Sequence, residues 1–287
     1  MKLTPLMAAA ATLLGTAVHG ACLTDVQAAQ LADHFFSRTA APDLDAISEA
    51  DARCSRARFN AVLAQRHGPV IGYKVGLTNP AIQRMLKGDQ PTWGVLYQGM
   101  VLAQGARVAP AFGARPTVEA DLLVRVGSAA INRARTPMEV LEAIDQVIPF
   151  IELPDMLVAT PLKLDARSLT AINVAARMGV TGTPIAVPPT QAGRQALHDG
   201  LRDMKLSMTV GTRSIGQGVG SDLMGHPLNA AIWLAQALAK EGLALEPGQL
   251  ISLGSFPPVI PPPRGQKFVV TYNGLPGAEP VSVQFDD

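Results

Sequence analysis

The sequence predicts an α+β fold in which a helical N-terminal region precedes a β-rich remainder. Three observations lead there. Helical periodicity governs the residues after the apolar N-terminus, short apolar segments separated by Gly and Pro fill the centre, and helices then mix irregularly with strands. Irregular mixing, without repeated strand–helix–strand units, argues against a doubly wound sheet.

Thr24-Asp25-Val26-Gln27 is a capping-box pattern, and Val26, Leu31, Phe35 and Phe36 recur at near-helical spacing, so a first helix is expected to about Ser37. Pro42 and Asp43 punctuate. A second helix is expected over residues 47–66, burying Cys54, Phe59 and Leu63. After His67-Gly68-Pro69, the segments VIGYKVGL, WGVLYQGMVL, TVEADLLVRVG and FIEL read as strands. Thr136-Pro137-Met138-Glu139 combines a capping box with Pro at the first helical position and predicts a helix to about Gln146. Further helices are expected over residues 191–201 and 229–241, the latter closed by Gly242. Between them LSMTV, Gly211-Thr212 and RSIGQG read as a hairpin, and residues 249–285 read as strands broken by turns. No internal repeat, low-complexity linker or glycine-rich phosphate loop interrupts this order. The division is residues 1–21 as a leader, 22–69 as the helical region and 70–287 as one catalytic domain.

The 287 residues carry a formal charge of +1 with both signs interspersed, which excludes an electrostatic footprint for nucleic acid or an anionic membrane surface. Outside the N-terminus no apolar run reaches the roughly 20 residues of a spanning helix. Lys2, the apolar residues 6–18 and the small residues Val18, Gly20 and Ala21 form an export-signal pattern, so a periplasmic or secreted protein is expected. Lipid attachment at Cys22 is disfavoured because His19 stands where an apolar residue is required. Cys22 and Cys54 are the two cysteines, and an even count in an oxidising compartment favours a disulfide.

Across residues 117–127, Val118, Ala120, Leu122, Val124 and Val126 alternate with Glu119, Asp121, Leu123 and Arg125, the two-residue period of a strand. Glu119 and Asp121 then share a face roughly 6.6 Å apart along the backbone, close enough to reach one ion. Taken alone, an E-x-D pair is more often the polar face of an edge strand. Glu152 shifts the balance, because it sits in the apolar stretch VIPFIELPDM, where an unpaired carboxylate is costly to bury. Hard divalent cations such as Mg²⁺ prefer carboxylate oxygens and retain open positions for a bidentate 2-oxo acid. Asp155 is placed to orient a ligand or a metal-bound water. Lys74, flanked by glycines and apolar residues, is a candidate base or substrate-charge partner, and Lys163 is a second. No pair among the five histidines has metal-ligand spacing, and His226 is expected to cap or pack at a helix start. No G-x-S-x-G elbow supports a serine nucleophile.

GYKVGLT, DQPTWGVLY, PTVEADLLVRV, FIELPD, GHPLNAAIWLAQALA and PGQLISLGSF resemble, in order and spacing, the 2-keto-4-pentenoate hydratase branch of the fumarylacetoacetate hydrolase superfamily. The resemblance covers residues 70–285. It implies a mixed β-roll, a homo-oligomer, and Mg²⁺ or Mn²⁺ held by an E-x-E pair plus a later acid, which fall on Glu119, Asp121 and Glu152. It also implies proton transfer at Lys74 and a substrate carboxylate near Gly254 and Ser255. Three departures stand out. Asp121 replaces the usual Glu; Asp155-Met156-Leu157 replaces D-S-R, losing an arginine; and Ile172-Asn173-Val174-Ala175 retains only Asn173 of a D-N-x-S segment.

The expected activity is metal-dependent addition of water to a 2-hydroxy-2,4-dienoate, giving a 4-hydroxy-2-oxo acid. The alternatives are hydrolysis, decarboxylation or tautomerisation of a related 2-oxo acid on the same metal site. A third is a periplasmic binding protein that has kept the fold and lost catalysis.

Overall fold

The structure, a computed structural model, describes residues 21–44 and 47–287. The expected leader, apart from Ala21, lies outside the described residues. Helix α1 (Asp25–Ser37) begins with the expected capping box, Thr24 and Gln27 bonding each other's backbone N–H. Its buried face is Ala28, Leu31, Ala32 and Phe35, at the i, i+3, i+4, i+7 positions of an amphipathic helix. Helix α2 (Glu49–His67), capped by Ser48, packs beside it and buries Ala52, Phe59 and Leu63. Cys22 and Cys54 are joined by a disulfide, with Cα atoms 5.6 Å apart, so the chain leading into α1 is bonded to α2. A sulfur committed to this bond is unavailable for a lipid thioether.

The remaining helices are α3 (Pro80–Met85), α4 (Pro137–Ala143), α5 (Ala166–Ala171), α6 (Gln191–Asp203) and α7 (Asn229–Lys240). The strands are β1 (Val70–Gly76), β2 (Thr92–Tyr97), β3 (Val101–Leu102), β4 (Arg107–Val108), β5 (Val118–Val126), β6 (Ile144–Leu153) and β7 (Met178–Thr181). They continue as β8 (Ile185–Ala186), β9 (Lys205–Val210), β10 (Arg213–Val219), β11 (Leu250–Ser252), β12 (Phe256–Ile260), β13 (Lys267–Asn273) and β14 (Val281–Phe285). The expected helix to Gln146 stops at Ala143. From Ile144 onward the residues pair with β5 as a strand, and that long-range pairing overrides the helical start signal.

Two sheets result. The larger runs β2-β1-β11-β5-β6-β7-β3, with β12 also on β5 and β8 on β6; the smaller runs β10-β9-β13-β14-β4. The combination of mixed sheets and helices is the α+β class expected. Strand β5 is central, not an edge: β11, β12 and β6 all pair with it antiparallel. Its Val118, Ala120, Leu122, Val124 and Val126 enter the main core, while the opposite face carries Glu119, Asp121 and Leu123. On that second face Leu123, Ile148, Phe150, Leu96 and Ala176 form a separate apolar cluster. No helix among the described residues is long and apolar enough to cross a membrane.

The Cys22–Cys54 bridge spans 32 residues, and opening it is expected to cost roughly 3–4 kcal/mol by loop-closure entropy. Reduction should lower the melting temperature by several degrees, and unreduced protein should resist alkylation at both cysteines by mass spectrometry. Alkylation of both thiols without reductant would contradict the bridge.

Candidate active site

Register fixes the first element of the site. Glu119 on β5 lies directly opposite Glu152 on β6, and Asp121 opposite Phe150. Directly opposed residues project to the same face, so Glu119, Asp121 and Glu152 share one side of the sheet. All three are buried, at 7%, 0% and 3% exposure, which excludes a solvated strand face.

Lys74 enters from the side. On β1 it pairs with Gly94 of β2 and Ser252 of β11, and its Nζ contacts Glu152 Oε1. β1 and β6 are three strands apart, roughly 14 Å in a flat sheet. The contact exists because the sheet curls, making this face concave. Gly94 permits one wall of the concavity: a Cβ there would lie 2.5 Å from the carbonyl oxygen of Asn173. Asn173, Val174 and Ala175 all hold positive φ (58°, 52° and 56°), a left-handed turn strained for residues with side chains.

Buried with three carboxylates and one ammonium, the cluster carries excess negative charge. Burial, reinforced by Glu152, raises Glu119 to about 7, with Lys74 and a hydrogen bond from Ser255 opposing. Burial and Glu152 raise Asp121 to about 8 against hydrogen bonds from Ser252 and the Leu122 amide. A divalent cation offsets this excess, and two carboxylates plus waters or substrate oxygens form an ordinary Mg²⁺ complement. Glu119 and Glu152 fit that role.

Asp121 is disposed differently. Its Oδ1 accepts from the N–H groups of Leu122 (2.5 Å) and Gly254 (3.1 Å), and its Oδ2 accepts from the Ser252 hydroxyl. Among the described residues no group of three or more His, Cys, Asp or Glu side chains is arranged to hold a metal ion. The three expected ligands are therefore neighbours but not a converging triad, because Asp121 is turned onto its own backbone surroundings.

The other expected residues are placed as follows. Gly254 adjoins the cluster through Asp121, and Ser255 through Glu119. Lys163 stands outside it: its side chain is 67% exposed and paired with Asp43 at 2.9 Å, on a short turn far from strand register with Glu152. Asp155 is buried but not free to orient a ligand. Its oxygens accept from the Ala114, Arg115 and Leu157 amides and from Arg177 Nη1, so it anchors residues 113–115 instead. Asn173 is fully buried, with its amide bonded to Val95 N–H and C=O and to Asn60, so it pins the left-handed turn to β2 and offers no polar atom to a substrate. His226 is buried just ahead of α7, in keeping with the expected packing at a helix start, its Nδ1 accepting from Leu228 N–H.

Residues without any local sequence signal also shape the site. Arg177 supplies the cation at Asp155 that the Asp155-Met156-Leu157 pattern lacks, from the residue just before β7, 22 positions on. Tyr272, from β13 of the smaller sheet, donates its hydroxyl to the Asp121 carbonyl at 2.5 Å and accepts from Phe150 N–H at 3.2 Å. Ser252 carried a faint signal, standing two residues before Gly254 in LISLGSF. A cleft of about 610 Å³ lined by Trp93, Arg56, Arg167 and Trp233 is separate: Trp93 neighbours Gly94 and points to the opposite side of the sheet.

Fold and cluster together define a protein with a concave mixed sheet presenting buried, opposed carboxylates beside a lysine. No protein-family model matches the chain. It is 30% identical over 207 residues to the 2-keto-4-pentenoate hydratase of Paraburkholderia xenovorans (strain LB400), covering 72% of this chain and 73% of that one. It is 29% identical over 206 residues to 2-keto-4-pentenoate hydratase 2 of Dechloromonas aromatica (strain RCB), covering 72% and 75%. In structure it is similar to the 4-oxalocrotonate decarboxylase of Pseudomonas putida G7, solved with magnesium and adipate: TM-score 0.78, 24% identity, 92% of this chain and 99% of that one. The chain belongs to the 2-keto-4-pentenoate hydratase branch of the fumarylacetoacetate hydrolase superfamily.

The raised acids set a pH dependence. Below the unfolded values of 3.8 and 4.5 the carboxyls are protonated in both states. As pH rises toward about 7 and 8 the unfolded chain releases protons that the folded, metal-free protein retains, so stability falls across that window. For Glu119 the loss is on the order of 3 kcal/mol. In EDTA, melting curves of Glu119→Gln should therefore gain on wild type as pH rises from about 5 to about 8. A constant gap would contradict the burial of an ionisable Glu119.

Proposed function

We propose that the protein is a metal-dependent hydratase that adds water to a 2-hydroxy-2,4-dienoate and releases a 4-hydroxy-2-oxo acid. The observation that carries the reading is the opposition of Glu119 and Glu152 on a buried concave face with Lys74 on Glu152. The hydratase relatives support the substrate class. Glu119 and Glu152 would hold a divalent cation, Mg²⁺ or Mn²⁺. When bound, the cation supplies Lewis-acid polarisation of the 2-oxo oxygen and a template for the carboxylate.

The chain's own residues supply the rest. Lys74, buried and held by Glu152, is the group placed to deliver a proton to C5 while the 2-hydroxyl gives up its own, which converts the dienol to the conjugated 2-oxo-3-enoate. Gly254 and Ser255 border the carboxylate end, with Ser255 bonded to Glu119. The apolar cluster of Leu123, Ile148 and Phe150 on the same face keeps bulk water from one flank. Water then adds at C4 of the enone, its proton going to C3.

A second reading, binding without turnover, draws on Asp155 and Asn173, whose polar atoms are consumed within the protein. Export to the periplasm or beyond is part of the same proposal, supported by the disulfide, which persists in oxidising compartments. So is a homo-oligomer, supported by the exposed apolar side chains Met85 and Leu162.

The test is a panel of 2-hydroxydienoates, acylpyruvates and 2-oxo diacids at saturating Mg²⁺, with products read by NMR. Hydroxyl incorporation at C4 is the expected result, and Glu119→Gln should reduce it at least about 100-fold. Carbon dioxide release, or tight binding with no product, would replace hydration with decarboxylation or with the binding reading. Full activity in Glu119→Gln would refute the site.

A further inference from the structure

Between β11 and β12 the chain passes β5 with one residue too many. Ser252 pairs with Leu123, Leu253 N–H donates to the Leu122 carbonyl, and pairing resumes with Phe256 opposite Ala120. Gly254 and Ser255 are thus two residues facing one, Asp121, which is the definition of a β-bulge. Gly254 adopts φ +111°, and a Cβ there would lie 2.3 Å from Thr78 Oγ1. A bulge redirects the side chains it carries, and here it places Ser255 near enough to Glu119 to act on that carboxyl.

What holds the bulge is the carboxylate opposite. Asp121 takes the Gly254 amide on one oxygen and the Ser252 hydroxyl on the other, gripping it from within and from the strand end before it. The Leu122 amide occupies a further acceptor position, and Tyr272 fixes the Asp121 backbone from the other sheet. The side chain is 0% exposed, and both of its oxygens are engaged by these donors.

The geometry points to Asp121 as a positioning residue for the Gly254–Ser255 bulge and not as a metal ligand, so the metal centre of this chain is built on Glu119 and Glu152 alone. The inference deepens the metal-site reading of the proposed function and rests on it. A glutamate at this position would carry its carboxylate one methylene farther out, beyond the short reach that Ser252 and Gly254 demand. The Glu-to-Asp departure and the bulge clamp are therefore one feature.

Asparagine separates the two roles. Its Oδ1 can accept both amides and its Nδ2 can donate to Ser252 Oγ, so the clamp survives, whereas a neutral amide is a poor substitute for an anionic metal ligand. Asp121→Asn, Asp121→Ala, Glu119→Gln and Glu152→Gln are compared with wild type. Mn²⁺ affinity is read by electron paramagnetic resonance, oxalate affinity by calorimetry at saturating Mn²⁺, and hydrogen exchange over residues 250–256 by mass spectrometry. Asp121→Asn is expected within about threefold of wild type in all three, while Glu119→Gln and Glu152→Gln lose Mn²⁺ affinity at least about tenfold. Asp121→Ala should hold Mn²⁺ within about threefold, weaken oxalate at least about tenfold and speed exchange in 250–256. Loss of Mn²⁺ by Asp121→Asn equal to that of Glu119→Gln would overturn the inference, as would unchanged exchange in Asp121→Ala. Wild-type Mn²⁺ affinity in Glu119→Gln and Glu152→Gln would instead sink the metal-site reading, leaving the exchange arm to decide the clamp.

Discussion

Two glutamates face each other across an antiparallel ladder on a buried surface, and most of the site answers that conflict. Like charges directly opposite destabilise a sheet, and burial raises the cost. Lys74 offsets part of it by contact with Glu152. The curl of the sheet is what brings that lysine across three strands, so shape and charge balance are linked. The remaining excess of negative charge gives a divalent cation its place, and it also explains why Glu119 and Asp121 hold protons to unusually high pH without one.

Around this pair, polar residues that look functional by type serve as supports. Asp155 spends its oxygens on three amides and Arg177, and Asn173 spends its amide on β2 and Asn60. The oxygens of Asp155 and the amide of Asn173 are thereby satisfied within the protein, as burial requires. The chemistry is thereby concentrated in Glu119, Glu152, Lys74 and the bulge at Gly254–Ser255, while the wall formed by residues 173–175 is backbone and apolar side chain.

Local signals made much of the fold legible. The capping boxes at Thr24 and Thr136 mark real helix starts, the Gly211-Thr212 turn joins a real hairpin, and the alternation in residues 117–127 correctly put Glu119 and Asp121 on one face. The burial argument for Glu152 also survives, since the sheet buries it and supplies a cation. What stayed hidden depended on contacts distant in sequence. Ala143 ends a helix because β6 pairs with β5; Arg177 reaches Asp155 only after β7 folds against β6; Tyr272 arrives from the other sheet. Lys163 misled because sequence distance from Glu152 says nothing about direction, and its charge is met by Asp43 at the surface. For Asp121 the strand period gave the face correctly, while its bonds to Ser252 and Gly254 depend on the chain between β11 and β12, which the local pattern does not show.

On the proposed reading Glu119 and Glu152 would hold the cation while Asp121 holds the bulge. A crystal structure of the protein with Mg²⁺ and oxalate tests it most directly. The expected result is an ion held by Glu119 and Glu152 with oxalate at the same place, Lys74 beside them, and Asp121 still bonded to Ser252 and Gly254. An ion coordinated by Asp121, or oxalate bound away from Glu119 and Glu152, would contradict it.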